Sequence, residues 1–116
     1  MAALARMNPG LRFITMSPGN TRGTEALSTL PPPQRFVVQK LVMPFMSLTG
    51  NAHPLSVGAA RLVDGITNPT LQNGVFYAST EKRLTGPVVD QADIVPDFRD
   101  AEIQDSAYAA IHRFID

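Results

Sequence analysis

The sequence predicts an α/β fold built on two parallel strands, at about residues 11–16 and 74–78, with crossover helices between them and a helix at the C-terminal end. Three observations carry this expectation. Residues 11–16 and 74–78 are short runs rich in β-branched and aromatic side chains, bounded by Gly and Pro. The stretch between them holds two apolar stripes at helical spacing, and a long helical connection between two strands implies a parallel crossover. Prolines punctuate the chain, with Pro9, Pro18, Pro44, Pro54 and Pro69 falling where elements should end or begin.

Each element can be justified in order. Ala2, Ala3, Leu4 and Ala5 favour a helix that Pro9-Gly10 stops, and a helix this short is marginal unless packed. Leu11, Phe13, Ile14 and Met16 make both faces of the first strand largely apolar, as expected of a strand covered on both sides. Ser17-Pro18-Gly19 ends it, because proline cannot donate to the ladder and glycine permits a sharp turn. Residues 20–33 read as a loop closing on Pro31-Pro32-Pro33. Phe36, Val37, Val38, Leu41, Val42, Phe45 and Met46 then form a wide helical stripe over residues 34–46, with Pro44 near its end. Pro54 at a first helical position opens a second helix, with Leu55, Ala59, Leu62, Val63 and Ile66 on one face until Asn68-Pro69. Gly74 to Ala78 is the second strand, and residues 100–115 form an amphipathic tail helix with Ile103, Ala107, Ala110, Ile111 and Phe114 on one side. Two strands alone make a poor sheet, so the chain reads as a slice of a larger one.

The composition excludes several classes. With 116 residues, 44% of them hydrophobic, the chain is of single-domain size and not of disordered type. Ten basic and ten acidic side chains cancel, which argues against a general nucleic-acid or anionic-membrane binder. The neutrality hides an asymmetry. Residues 1–86 hold eight basic and three acidic side chains, and residues 87–116 hold two and seven. The acidic tail either docks on a basic body or stands solvated. No run approaches the length of a membrane span, and no secretory leader precedes the first strand, so a cytoplasmic location is expected. The absence of cysteine removes disulfides, thiolate metal sites and cysteine nucleophiles. No metal site is expected around His53 or His112, and Ser17 or Ser56 lacks the His and carboxylate context of a hydrolase nucleophile.

The run Asn8-Pro9-Gly10-Leu11-Arg12-Phe13-Ile14-Thr15-Met16-Ser17-Pro18-Gly19 resembles the sixth strand and following Pro-Gly turn of the short-chain dehydrogenase/reductases. Arg22, Thr24 and Glu25 resemble the R-T-E of the branch containing retinol dehydrogenases and protochlorophyllide reductases, with Gly23 as a one-residue insertion. The apolar segment 35–46, with Pro44-Phe45, is similar to that branch's substrate-lobe helix. His53-Pro54-Leu55-Ser56-Val57-Gly58-Ala59-Ala60-Arg61-Leu62 is similar to its S-P-E-E-G-A helix, and Asn73-Gly74-Val75-Phe76-Tyr77 to its last strand, S-G-K-Y-F. The resemblance covers about residues 2–80. It implies a partial Rossmann-like unit: the last crossover and Pro-Gly turn (1–33), the substrate-lobe helices (34–68), and the last strand and tail (74–116). By position it implies that Pro18, Gly19, Asn20, Thr21 and Thr24 lie on the nicotinamide side of an NAD or NADP site, and that Phe36, Met43, Phe45 and Met46 form an apolar substrate wall.

The family's chemistry needs more than this. Its tyrosine acid/base works with a lysine four residues on, one helical turn away, whose charge lowers the tyrosine pKa. Here Tyr77 precedes Lys82 by five and sits on a strand, while Tyr108 has His112 at four and no lysine nearby; both tyrosines read as packing residues with a wet hydroxyl. Gly19 and Gly23 mimic the start of a phosphate-binding glycine fingerprint, but Glu25 stands at the third position, where its charge would repel phosphate. Two expectations follow. The chain is a fragment or remnant of an NAD(P)-dependent short-chain oxidoreductase, inactive alone and supplying a nicotinamide-side turn and a substrate wall. Alternatively, it is a non-catalytic interaction module that completes a partner's sheet. In either case an exposed edge of strand 11–16 would pair with a second copy or a complementary chain.

Overall fold

The computed structural model describes residues 1–22 and 28–115. It contains a mixed α/β arrangement around a three-stranded sheet. Helix α1 (Ala2–Met7) ends at Asn8, whose side chain and backbone amide both donate to Leu4 O. Strand β1 (Thr15–Met16) pairs in parallel with β2 (Phe76–Ser79), and β2 pairs antiparallel with β3 (Val88–Asp90). The parallel pair agrees with the crossover expected from the sequence. The third strand does not: β3 turns a two-stranded parallel slice into a mixed sheet with β2 at its centre.

The first strand is shorter than residues 11–16. Leu11 closes a turn onto Asn8 O, and the Phe13 amide donates to the Asn73 side chain at 2.7 Å rather than to a neighbouring strand. The Arg12 side chain then ties this approach to the carbonyls of Ile66 and Leu71, and the Asn73 side chain donates to Leu11 O, so side-chain bonds supplement the few ladder rungs here. Residues 13–16 are half-buried, not covered on both faces. The second strand starts two residues later than expected and ends one later, because Gly74 takes a left-handed turn (φ +79°) packed on Ala2 and Ala5.

The proline triplet does not close a loop; Pro32 and Pro33 occupy the first turn of α2 (Pro32–Val37), where missing N–H groups cost nothing. The chain continues through a π-helical turn (Val38–Val42) into α3 (Met43–Leu48). The wide turn has an evident cause. Pro44 cannot donate and its ring crowds the carbonyl four residues back, so the ladder widens just before it, with the Met43 amide reaching Val38 O.

Helix α4 (Leu55–Thr67) begins after Pro54, which stands outside it as the N-cap. Its buried side is Gly58, Arg61 and Gly65, packed against β1 and the turn that follows. The apolar stripe Leu55, Ala59, Leu62, Val63 and Ile66 faces outward, the reverse of the expected orientation. Helix α5 (Ala101–Ile115) packs on α1 through Arg6, which bonds Gln104 and pairs with Asp105 at 2.5 Å. Ile103, Ile111 and Phe114 are exposed, and the half-buried positions are Gln104, Tyr108 and His112. Arg6–Asp105 is thus one docking contact of the acidic tail on the body, while Arg99 pairs within the tail with Asp90 and Asp93, which raise its pKa. The buried hydrophobic residues are small except for Tyr77: Ala3, Ala5, Ala52 and Ala92 complete the set. No helix of the described residues is long and apolar enough to cross a membrane.

Candidate functional site

Where β1 ends, Ser17-Pro18-Gly19 reverses the chain beside the carboxyl end of β2. Gly19 adopts φ +74°, and a β-carbon there would lie 2.5 Å from Arg61 Nη1, 2.8 Å from Leu84 O and 2.9 Å from His53 Nε2. Only a residue without a side chain fits this crossing. Beyond it, residues 20–22 run alongside His53, whose amide donates to Asn20 O (3.0 Å) and whose carbonyl accepts from Arg22 N (2.9 Å). These two bonds fix His53 beneath the turn. Its imidazole is 7% exposed, with Nε2 3.5 Å from Thr21 Oγ1 and Nδ1 buried without a hydrogen-bond partner.

Arg61 enters the same place from α4 and is 9% exposed. Its guanidinium reaches Ser17 O (3.5 Å), Ser79 Oγ (3.2 Å) and Gly86 O. All three are neutral, and among the described residues no carboxylate pairs with it. Burial lowers its pKa, yet an arginine retains its proton throughout the range in which proteins fold.

An open cleft of about 620 Å³ lies at the carboxyl ends of the two parallel strands. Ser17, Gly19 and Asn20 line it from the β1 side and Ala78 and Ser79 from β2. Residues 80–84 form a rim that includes Lys82 and Arg83, and Gln91 and Ile94 close the far side. Lys82 is the described non-glycine residue with a left-handed backbone, at φ +61°. In open parallel sheets the crevice at the strands' carboxyl ends is where ligands bind, since helix and loop termini converge there.

Of the residues the resemblance singles out, Gly19 and Asn20 line the cleft, and Pro18 and Thr21 stand just behind it. Thr24 lies outside the described residues. Of Asn20 and Thr21, the two positions whose backbone the resemblance places at a nicotinamide carboxamide, the Asn20 amide donates to Leu84 O at 2.8 Å and the Asn20 side chain to Asn51 O at 2.7 Å. The expected wall is not assembled around this cleft. Phe36 and Phe45 are exposed, Met43 and Met46 are half-buried, and none of the four lines it, although Met46 Sδ lies 4.0 Å from Asn20 Nδ2. The turn and the four apolar residues are thus not brought together around one cleft.

The two tyrosines are held differently. Tyr77 is buried, and its hydroxyl is not wet: it accepts from Gln72 N at 2.9 Å. Tyr108 stacks on His112 with ring centres 4.2 Å apart. Among the described residues no three His, Asp or Glu side chains gather as metal ligands. Arg61, His53, Ser79, Lys82 and Arg83 were not expected at the site. Arg61 had a signal, as the one cation on a Gly58, Arg61, Gly65 stripe that reads as a close-packing face. Comparison with family models, curated proteins and solved structures returns no match to this chain.

Proposed function

We propose that this chain is a non-catalytic interaction module that completes a partner's α/β unit. The observation that carries the proposal is the orientation of its helices: α2, α3, α4 and α5 all turn large apolar side chains outward, including Ile66 at 79% and Phe114 at 93% exposure. Exposed apolar side chains in this number mark a chain that has surface to cover. Strand β1 supports the same reading. It is an edge strand, and because Thr15 and Ser17 donate to β2, the alternation of the strand turns the Ile14 and Met16 amides to the outer edge. A partner strand with its own apolar cover would occupy both surfaces, either in a second copy or in a complementary chain, in a cytoplasmic setting.

A second reading is favoured by the left-handed Gly19 turn at the carboxyl ends of parallel strands. On it, the unit completed by this chain is an NAD(P)-dependent short-chain oxidoreductase, to which it lends the cofactor-side turn. Calorimetric titration with NADH and NADPH tests both. The chain alone should bind neither tightly, having no glycine fingerprint and no tyrosine–lysine pair. Tight binding by the chain alone would contradict the non-catalytic proposal. Binding that appears only after mixing with a chain carrying the fingerprint would establish the second reading.

A further inference from the structure

We propose that the cleft at the carboxyl ends of β1 and β2 binds a phosphate group, held by Arg83 and Lys82 at the rim and by the buried charge of Arg61 behind the floor. The proposal does not rest on either reading of the chain's role. A guanidinium removed from water without a counter-ion is unfavourable, and Arg61 hydrogen-bonds two carbonyls and a hydroxyl, with no carboxylate partner among the described residues. Two of its three hydrogen-bond partners, Ser17 and Ser79, line the cleft, as does Gly19, whose β-carbon position lies beside the guanidinium, so its charge sits just behind that wall. Arg83 lines the same space, and its side chain has no hydrogen bond or ion pair among the described residues. Glu81 is the carboxylate in the lining, and it lies 4.0 Å from Lys82. The lining holds two cations, Lys82 and Arg83, against one carboxylate, and Arg61 behind it adds a third positive charge, a balance that favours an anion. Forked guanidinium donors and the hydroxyls of Ser79 and Thr80 suit tetrahedral oxygens. The left-handed backbone of Lys82 belongs to the same rim, and strain of this kind gathers at ligand sites.

The test is an amide-resolved NMR titration of the intact chain with inorganic phosphate, ionic strength being held constant with sodium chloride. Saturable shifts are expected at Gly19 and residues 79–84. Arg83→Gln, an exposed change that leaves the fold intact, should weaken binding at least tenfold. Arg61→Lys should weaken it similarly while keeping the dispersed spectrum of the folded chain. Glycerol phosphate binding as tightly as inorganic phosphate would identify the ligand as a phosphate ester; weaker binding would identify the free ion. Shifts that do not saturate, equal shifts with succinate, or undiminished affinity in Arg83→Gln would overturn the proposal.

Discussion

Gly19 joins the local backbone to the chemistry of the cleft more directly than any other residue. Its left-handed φ alone would cost a substituted residue about 1–2 kcal/mol. The crossing adds a second penalty, because two of the three atoms a β-carbon would meet belong to side chains that are themselves buried, and the third is a backbone carbonyl. Neither Arg61 nor His53 can swing aside without leaving the hydrogen bonds or packing that hold it. Gly19→Ala should therefore destabilise the chain by about 3 kcal/mol or more, a large share of the stability of a small domain. Urea unfolding followed by circular dichroism measures this, and a change below about 1 kcal/mol would mean that the turn relaxes freely. The same substitution should displace the guanidinium and weaken phosphate binding. Gly10 provides the control, since open space surrounds its β-carbon position and its φ is not left-handed.

At the scale of elements, α4 shows how a helix can pack by its least hydrophobic face. Gly58 and Gly65 let the helix approach the Ser17–Thr21 turn and β1 closely, and Arg61 between them satisfies the carbonyls there. The two glycines differ in a measurable way. A β-carbon on Gly58 would lie 2.5 Å from Thr21 Oγ1 and 3.1 Å from its methyl group, whereas one on Gly65 would meet Met16 at an ordinary 3.4–3.7 Å. Alanine favours a helix interior over glycine by about 1 kcal/mol, so Gly65→Ala should stabilise the chain by up to that amount. Gly58→Ala should lose the same gain to the clash and destabilise by about 1–2 kcal/mol. Thermal unfolding of the two variants reads the opposite signs, and equal shifts would show that the helix does not pack as described. This helix also explains what could be read from sequence. Its limits, like those of α1 and α5, follow from prolines and apolar spacing, which act locally. Its orientation does not, because the usual rule turns the apolar stripe inward, and that rule holds only when the chain itself supplies the cover. The same reasoning covers the other differences. Strand β3 is three residues long and gains its ladder only from β2, so Val88-Val89 gave little local signal. Gly19 was legible as a turn, while Arg83 and Lys82 sit in a loop whose position depends on the pairing of β2 with β3.

The whole molecule exposes more surface than its mass should. A compact monomer of 12.6 kDa presents about 6,200 Å², and this chain presents 8070 Å². Its radius of gyration, 16.9 Å, likewise exceeds the roughly 13 Å expected of a compact domain of this length. The excess area, roughly 1,900 Å², is larger than the ~800 Å² that each partner buries in a standard interface. Large apolar side chains contribute to it, as on the outer faces of α2, α3 and α4. Charge offers no barrier to association, since the net charge is zero. The free chain should therefore self-associate, with an apparent mass in sedimentation equilibrium that rises with concentration. Apolar contacts are not screened by salt, so raising sodium chloride to molar levels should leave the association intact, whereas an assembly held by Arg6–Asp105-type ion pairs would dissociate. Phe36→Glu combined with Phe45→Glu should return the chain to a monomer without unfolding it, because both side chains already face solvent. A chain that stays monomeric across a hundredfold range of concentration would sink this prediction. Association that the double variant leaves unchanged would instead place the contact at the open edge of β1, where proline in place of Met16 should abolish it by removing an outward amide.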